Sequence, residues 1–139
     1  MRLSPAAELA VRGVLILAEN HGQRPVTLET ICKRRDLPRQ YLVKIFASLA
    51  RAELVTPIRG KRGGYVLARE PRDVTILDVI EAVEGPLVLN LCQHDPPKCQ
   101  QTNCPIRPLW GRLQDAVRRE LGGMTLQNCL EPVRDEAIS

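Results

Sequence analysis

Residues 27–67 carry, at fixed separations, a helix stop, a helix start and a glycine-rich turn, and that order narrows the fold more than anything else in the chain. Thr27 is a good N-cap, and Leu28, Ile31 and Cys32 follow at spacings that place them on one helical face. Arg35-Asp36-Leu37-Pro38 must interrupt this short helix, because a residue before proline is pushed out of the helical region while proline itself fits the first turn of a new helix. A second helix is therefore predicted from Pro38. In it Leu42, Ile45, Phe46 and Leu49 form an apolar stripe, leaving Arg39, Gln40, Tyr41, Val43, Lys44 and Arg51 to the flanks and outer face. Two strands, at 54–58 and 65–67, then flank the turn Arg59-Gly60-Lys61-Arg62-Gly63-Gly64, whose glycines permit a tight hairpin.

Two short helices followed by a hairpin describe a helix-turn-helix with a wing. The wing tip carries the first indication of use. Arg59, Lys61 and Arg62 would repel one another on a compact loop, so a passing polyanion accounts for them better than surface decoration does. The charge distribution agrees: residues 33–72 hold eleven Lys or Arg against three Asp or Glu, a net +8, while the remaining nine against thirteen give −4, for a total of +4. Neutralising duplex DNA phosphates requires this segregation. An arginine at the wing tip suits a narrow minor groove. On the second helix Arg39, Gln40, Tyr41 and Lys44 are the candidates for base and phosphate contacts, Arg and Gln matching guanine and adenine edges.

At 139 residues, one domain with a helical arm is expected, and with aromatics at 3% its core must be aliphatic. Ser4-Pro5 opens a first helix, along which Leu9, Ala10, Gly13, Val14 and Leu17 trace one face until Asn20-His21-Gly22 closes it. Glu8 and Arg12 interrupt its apolar run, and no cleavage site follows, so neither a signal peptide nor a membrane span is expected and a cytoplasmic protein is. Beyond the wing, Thr75 and Asp78 resemble a capping box, opening a helix with Ile76, Leu77, Val79, Ile80 and Val83 inward and ending at Gly85-Pro86. Residues 87–104 then lose periodicity. Pro105 is expected to open the longest helix, with Ile106, Leu109, Trp110, Leu113, Ala116, Val117 and Leu121 in helical rhythm up to Gly122-Gly123. Pairing of this helix with a second copy is favoured, since a two-fold dimer can read two half-sites. Residues after Leu126 are expected to form a short turn and a frayed tail. The chain thus divides into a reading head at 1–85, a loop at 86–104 and a dimerisation helix with tail at 105–139.

The loop holds three of the five cysteines, Cys92, Cys99 and Cys104. An odd count in a reducing compartment argues against a disulfide framework. Zinc sites use tighter pairs than this loop offers, whereas iron–sulfur clusters accept wider spacing. On the residues alone, a cluster, another metal and redox-sensing thiols stand about level. Cys32, on an apolar helix face, reads as a packed thiol, and Cys129 as incidental. No nucleotide-binding loop and no Ser/His/Asp set is present, so an enzyme is not expected.

From Met1-Arg2-Leu3-Ser4 through Leu28-Glu29-Thr30-Ile31, Gln40-Tyr41-Leu42, the wing Arg59-Gly60-Lys61-Arg62-Gly63-Gly64-Tyr65 and the three-cysteine loop, the sequence resembles the bacterial regulators of the IscR, NsrR and RirA group. That resemblance covers nearly the whole chain. It implies a homodimeric winged helix-turn-helix transcription factor, typically a repressor, whose cysteines hold a 2Fe-2S or 4Fe-4S cluster sensing iron, oxidants or nitric oxide. Cluster ligation then maps to Cys92, Cys99 and Cys104, and the minor-groove arginine to Arg59. Glu8 occupies the place of the N-terminal carboxylate that resembles a fourth ligand in the nitric-oxide-sensing branch, with His94 as the reserve; Arg107 stands where another branch has a histidine. A cluster-free thiol-based or partner-binding regulator of sulfur metabolism, as some relatives look to be, is the alternative.

Overall fold

The computed structural model describes residues 3–36 and 38–131. Helix α1 (Pro5–Glu19) starts where Ser4 accepts the Ala7 N–H at 3.1 Å, with Pro5 in the first turn. Helix α2 (Leu28–Arg35) is capped in the same way by Thr27, which accepts from Thr30, and ends at Asp36 in the left-handed region. Leu37, in the expected break, lies outside the described residues. Helix α3 (Arg39–Arg51) begins one residue later than expected: Pro38 keeps an extended ψ of 123° and serves as the residue before the helix. Strands β1 (Val55–Ile58) and β2 (Gly64–Leu67) pair antiparallel, Val55 opposite Leu67 and Ile58 opposite Gly64. A 3₁₀ turn at Pro71–Asp73 leads to α4 (Ile76–Glu84), whose capping box is present with Asp78 N–H to Thr75 Oγ1 at 3.1 Å and Thr75 N–H to Asp78 Oδ2 at 2.9 Å.

Helix α5 (Arg107–Gly123) starts two residues after Pro105, since Pro108 rather than Pro105 takes the first-turn position. After it comes a feature that the sequence pattern did not announce. Helix α6 (Leu126–Leu130) folds back, and Leu126 is fully buried in the head's core. Its approach is fixed by two backbone hydrogen bonds beside α4, Ile76 N–H to Met124 O and Leu126 N–H to Val74 O, both 2.9 Å. The segment expected to turn after Leu126 is thus helical to Leu130, and residues 132–139 of the expected tail lie outside the described residues.

The core is aliphatic around one aromatic ring. Phe46 of α3 is fully buried, packs edge-on to Tyr65 at 4.8 Å between centroids, and meets α1 at Gly13, where an added Cβ would stand 2.9 Å from the ring. The wing is tied to the helices through Val26, which exchanges two backbone hydrogen bonds with Tyr65, at 3.0 and 2.8 Å. Gly64 makes that approach possible: its φ is +148°, and a Cβ there would fall 2.5 Å from the Val26 carbonyl oxygen. Gly64→Ala should consequently lower the thermal midpoint by the equivalent of more than about 1 kcal/mol. A melt followed by circular dichroism checks this; an unchanged midpoint would show the wing is not held by this contact.

Candidate nucleic-acid interface and cysteine loop

The apolar stripe of α3 is sunk as its spacing required, with Leu42, Ile45, Phe46 and Leu49 all buried. Arg39, Gln40, Tyr41, Val43 and Lys44 are consequently turned out to solvent, as are Arg59, Lys61 and Arg62 at the wing tip. Arg39, Ile58 and Lys61, with Thr27 and Glu29 of the α2 start, line one shallow groove of about 320 Å³. This joins two sets of residues read separately from the sequence into one surface. Among the described residues, none of Arg39, Lys44, Arg59, Lys61 and Arg62 forms an ion pair. Five cations concentrated without internal partners create a positive field that phosphates can neutralise. Two polar contacts of the head lie away from this surface: Arg34 is 3.5 Å from Glu19, and His21 Nε2 is 3.1 Å from Glu70 Oε2 at the base of the wing. His21, read as helix-end punctuation, thus also ties the end of α1 to the wing, a long-range pairing with no local signal.

The cysteine loop is held by hydrogen bonds within itself and to α4 and α5. Cys92 sits in a 3₁₀ turn, Leu91–Gln93, and its Sγ accepts from Gln93 Nε2 at 3.3 Å. The Lys98 N–H reaches Leu91 O at 2.9 Å, and Arg107 Nη2 reaches the Cys92 carbonyl at 3.4 Å. Cys92, Cys99 and Cys104 are free, half-buried thiols. Among the described residues, no three Cys, His, Asp or Glu side chains come together in a metal-holding arrangement. Glu8 is in the first turn of α1 and its carboxylate pairs with Arg12. His94 follows the turn, half-buried. The donor chemistry suits a soft metal or cluster, but in this conformation the residues do not form a cradle for one.

Helix α5 buries none of its residues. Ile106, Leu109 and Leu113, at i, i+3 and i+7, form an open apolar face, 43%, 37% and 37% exposed, with Trp110 half-buried beside it. Its other side is clamped to the head. Arg118 Nη1 donates to Glu81 Oε2 of α4 at 2.8 Å, the same carboxylate oxygen accepts the Leu87 N–H at 2.8 Å, and Gln114 accepts the Leu89 N–H at 3.0 Å. Burial tends to raise the Glu81 pKa, but the hydrogen bonds from Arg118 and Leu87 and the Arg118 charge together outweigh it and leave the pKa lowered. A carboxylate with a lowered folded pKa adds stability above its unfolded pKa and loses it as pH falls through the folded value. The urea midpoint should therefore decline as the solution is acidified below about pH 4.5, and Glu81→Gln should remove part of that decline. An identical acid profile in the variant would show the clamp carries no such linkage.

Residues 3–132 match the model of the Rrf2 family, described as iron-dependent transcriptional regulators. The HTH-type transcriptional regulator CymR of Bacillus subtilis is 35% identical over 130 residues, covering 92% of this chain and 88% of that protein. IscR of Vibrio atlanticus is 33% identical over 127 residues, covering 91% and 73%. Among solved structures, that of CymR, named the global cysteine regulator of B. subtilis, superposes with a TM-score of 0.82 at 32% identity, covering 93% of this chain and 95% of that one. T. potens IscR gives 0.80 at 29% identity, covering 100% and 93%.

Proposed function

This chain belongs to the Rrf2 family, whose members are DNA-binding transcriptional regulators and not enzymes, and from that premise we propose a homodimeric repressor that grips its operator with α3 and the wing. The observation that carries the proposal is the set of unpartnered cations on α3 and the wing tip, two of which line one groove. Arg39, Gln40, Tyr41 and Lys44 meet bases and phosphates of the major groove, and Arg59, Lys61 and Arg62 the adjacent backbone and minor groove. The open face of α5 takes a second copy, which buries Ile106, Leu109 and Leu113 and spaces two heads for two half-sites. Residues 1–85 read, 86–104 sense, and 105–139 carry the pairing helix and the tail, of which α6 returns to the head. No helix among the described residues is long and apolar enough to cross a membrane, and action on DNA in the cytoplasm is proposed. Filter binding to a duplex pool at varied salt tests the reading: a nearly flat salt dependence would sink it.

The state of the cysteine loop sets operator affinity. Its place between the head and α5 supports this, because its conformation bears on both through Arg107, Gln114 and Glu81. Ligation of a 2Fe-2S or 4Fe-4S cluster by Cys92, Cys99 and Cys104, with Glu8 or His94 as the fourth donor, is the reading that the iron-dependent family supports. Such a centre would respond to iron, oxidants or nitric oxide. The uncollected donors and the likeness to a cysteine regulator favour a second reading, a cluster-free thiol or partner-binding regulator of sulfur metabolism. Anaerobic purification with visible absorption, iron and sulfide assay separates the two. Colourless, iron-free protein whose operator binding ignores chelators, yet changes on replacing a loop cysteine with serine, would leave only the second.

A further inference from the structure

The outer face of α3 is not wholly polar. Gln40, Val43, Lys44 and Ala47 fall at i, i+3, i+4 and i+7, and all four are exposed. Val43 is 46% exposed, although the same helix buries its other large aliphatic residues, Leu42, Ile45 and Leu49, almost completely. One exposed valine on a protein surface is ordinary. This one has Ala47 as its i+4 neighbour, so the two form a small apolar strip, with Gln40 one turn before it and Lys44 alongside, on the face that carries the unpaired cations. Water solvates such a strip poorly, and a charged phosphate cannot improve it. The major groove offers one apolar group to a side chain entering it, the 5-methyl of thymine.

We propose that Val43, backed by Ala47, reads a thymine methyl group in each half-site of the operator. This rests on the DNA-binding reading above and adds to it the identity of one base. Gln40, one turn before Val43, and Lys44, beside it, flank the strip and fix the register, so the strip meets one step of the groove and not the backbone. Removing a single buried methyl weakens an apolar contact by about fourfold. Loss of the thymine methyl should therefore cost about fourfold in a half-site and, with both half-sites altered, about fifteenfold in the dimer.

The test uses the full chain, purified with and without air. A bound duplex is first selected from a random pool, and each thymine is then replaced singly by uracil, which removes the methyl and leaves every hydrogen-bonding group in place. One thymine per half-site should show the fourfold loss with the native chain. Val43→Ala, folded by circular dichroism, should bind the thymine operator correspondingly weaker and should no longer distinguish uracil from thymine at that position. Native protein indifferent to every uracil replacement, or Val43→Ala showing the same loss as the native chain, overturns the thymine assignment while leaving DNA binding intact. If the pool yields no bound sequence, the DNA-binding reading falls and this inference with it.

Discussion

Replacing Arg59, Lys61 and Arg62 together by alanine should flatten the salt dependence of operator binding by up to about three in the log–log slope, with affinity near 0.1 M salt falling by roughly a thousandfold. Each phosphate a cation neutralises releases about one condensed counterion, and the three side chains crowd a six-residue tip with no carboxylate paired to them among the described residues. Their removal should leave folding nearly untouched, since all three are exposed. Fluorescence anisotropy on a labelled operator across a salt series gives slope and affinity in one experiment. An unchanged slope would mean that the wing never meets the backbone. The individual variants carry more information: a side chain on phosphate weakens all sequences alike, whereas Arg59 in a narrow minor groove should also confer a preference for A·T-rich flanks, lost in Arg59→Ala alone. Val43→Ala should do the reverse, leaving the slope and changing sensitivity at one base.

That contrast reflects how unevenly the molecule shows in its sequence. Local physics was readable: the caps at Ser4, Thr27 and Thr75, the stripe Leu42, Ile45, Phe46 and Leu49, and the glycine hairpin each depend on neighbours within a few positions. Long-range pairings were not. Val26 carries no mark of its exchange with Tyr65, and neither Glu81 nor Arg118 differs in pattern from other exposed helix charges until α4 and α5 lie side by side. Starting α3 and α5 at Pro38 and Pro105 placed both helices slightly early, because a proline can precede a helix as well as open one: Pro38 does so extended, and Pro105 in a turn closed by the Arg107 N–H on the Cys104 carbonyl. The cysteine loop shows a different limit. Spacing brings Cys92, Cys99 and Cys104 into one segment, but whether three sulfurs converge depends on backbone dihedrals in an aperiodic loop, and there Cys92 turns to Gln93 instead.

Leu126 supplies the sharpest test of how the dimer helix is joined to the reading head. Leu126→Ala should destabilise the protein by about 2–5 kcal/mol, the range for truncating a fully buried leucine whose cavity cannot collapse. Against a total stability of roughly 5–15 kcal/mol, that is enough to be felt in function. Collapse is hindered because Leu126 is held from both sides, by its N–H to Val74 O and by the Ile76 N–H to Met124 O. Leu130→Ala, at a site 36% exposed, should cost well under half as much and serves as the control. Urea denaturation with an unchanged m-value gives the difference directly. If both substitutions cost the same small amount, α6 is a surface attachment and α5 is anchored to the head only through Arg118, Gln114 and the loop. If the large difference is found, α5 is fixed at its end as well as along its side. Loosening that end should then weaken operator binding well below the melting temperature, because two heads on a slack helix no longer hold the separation that two half-sites require.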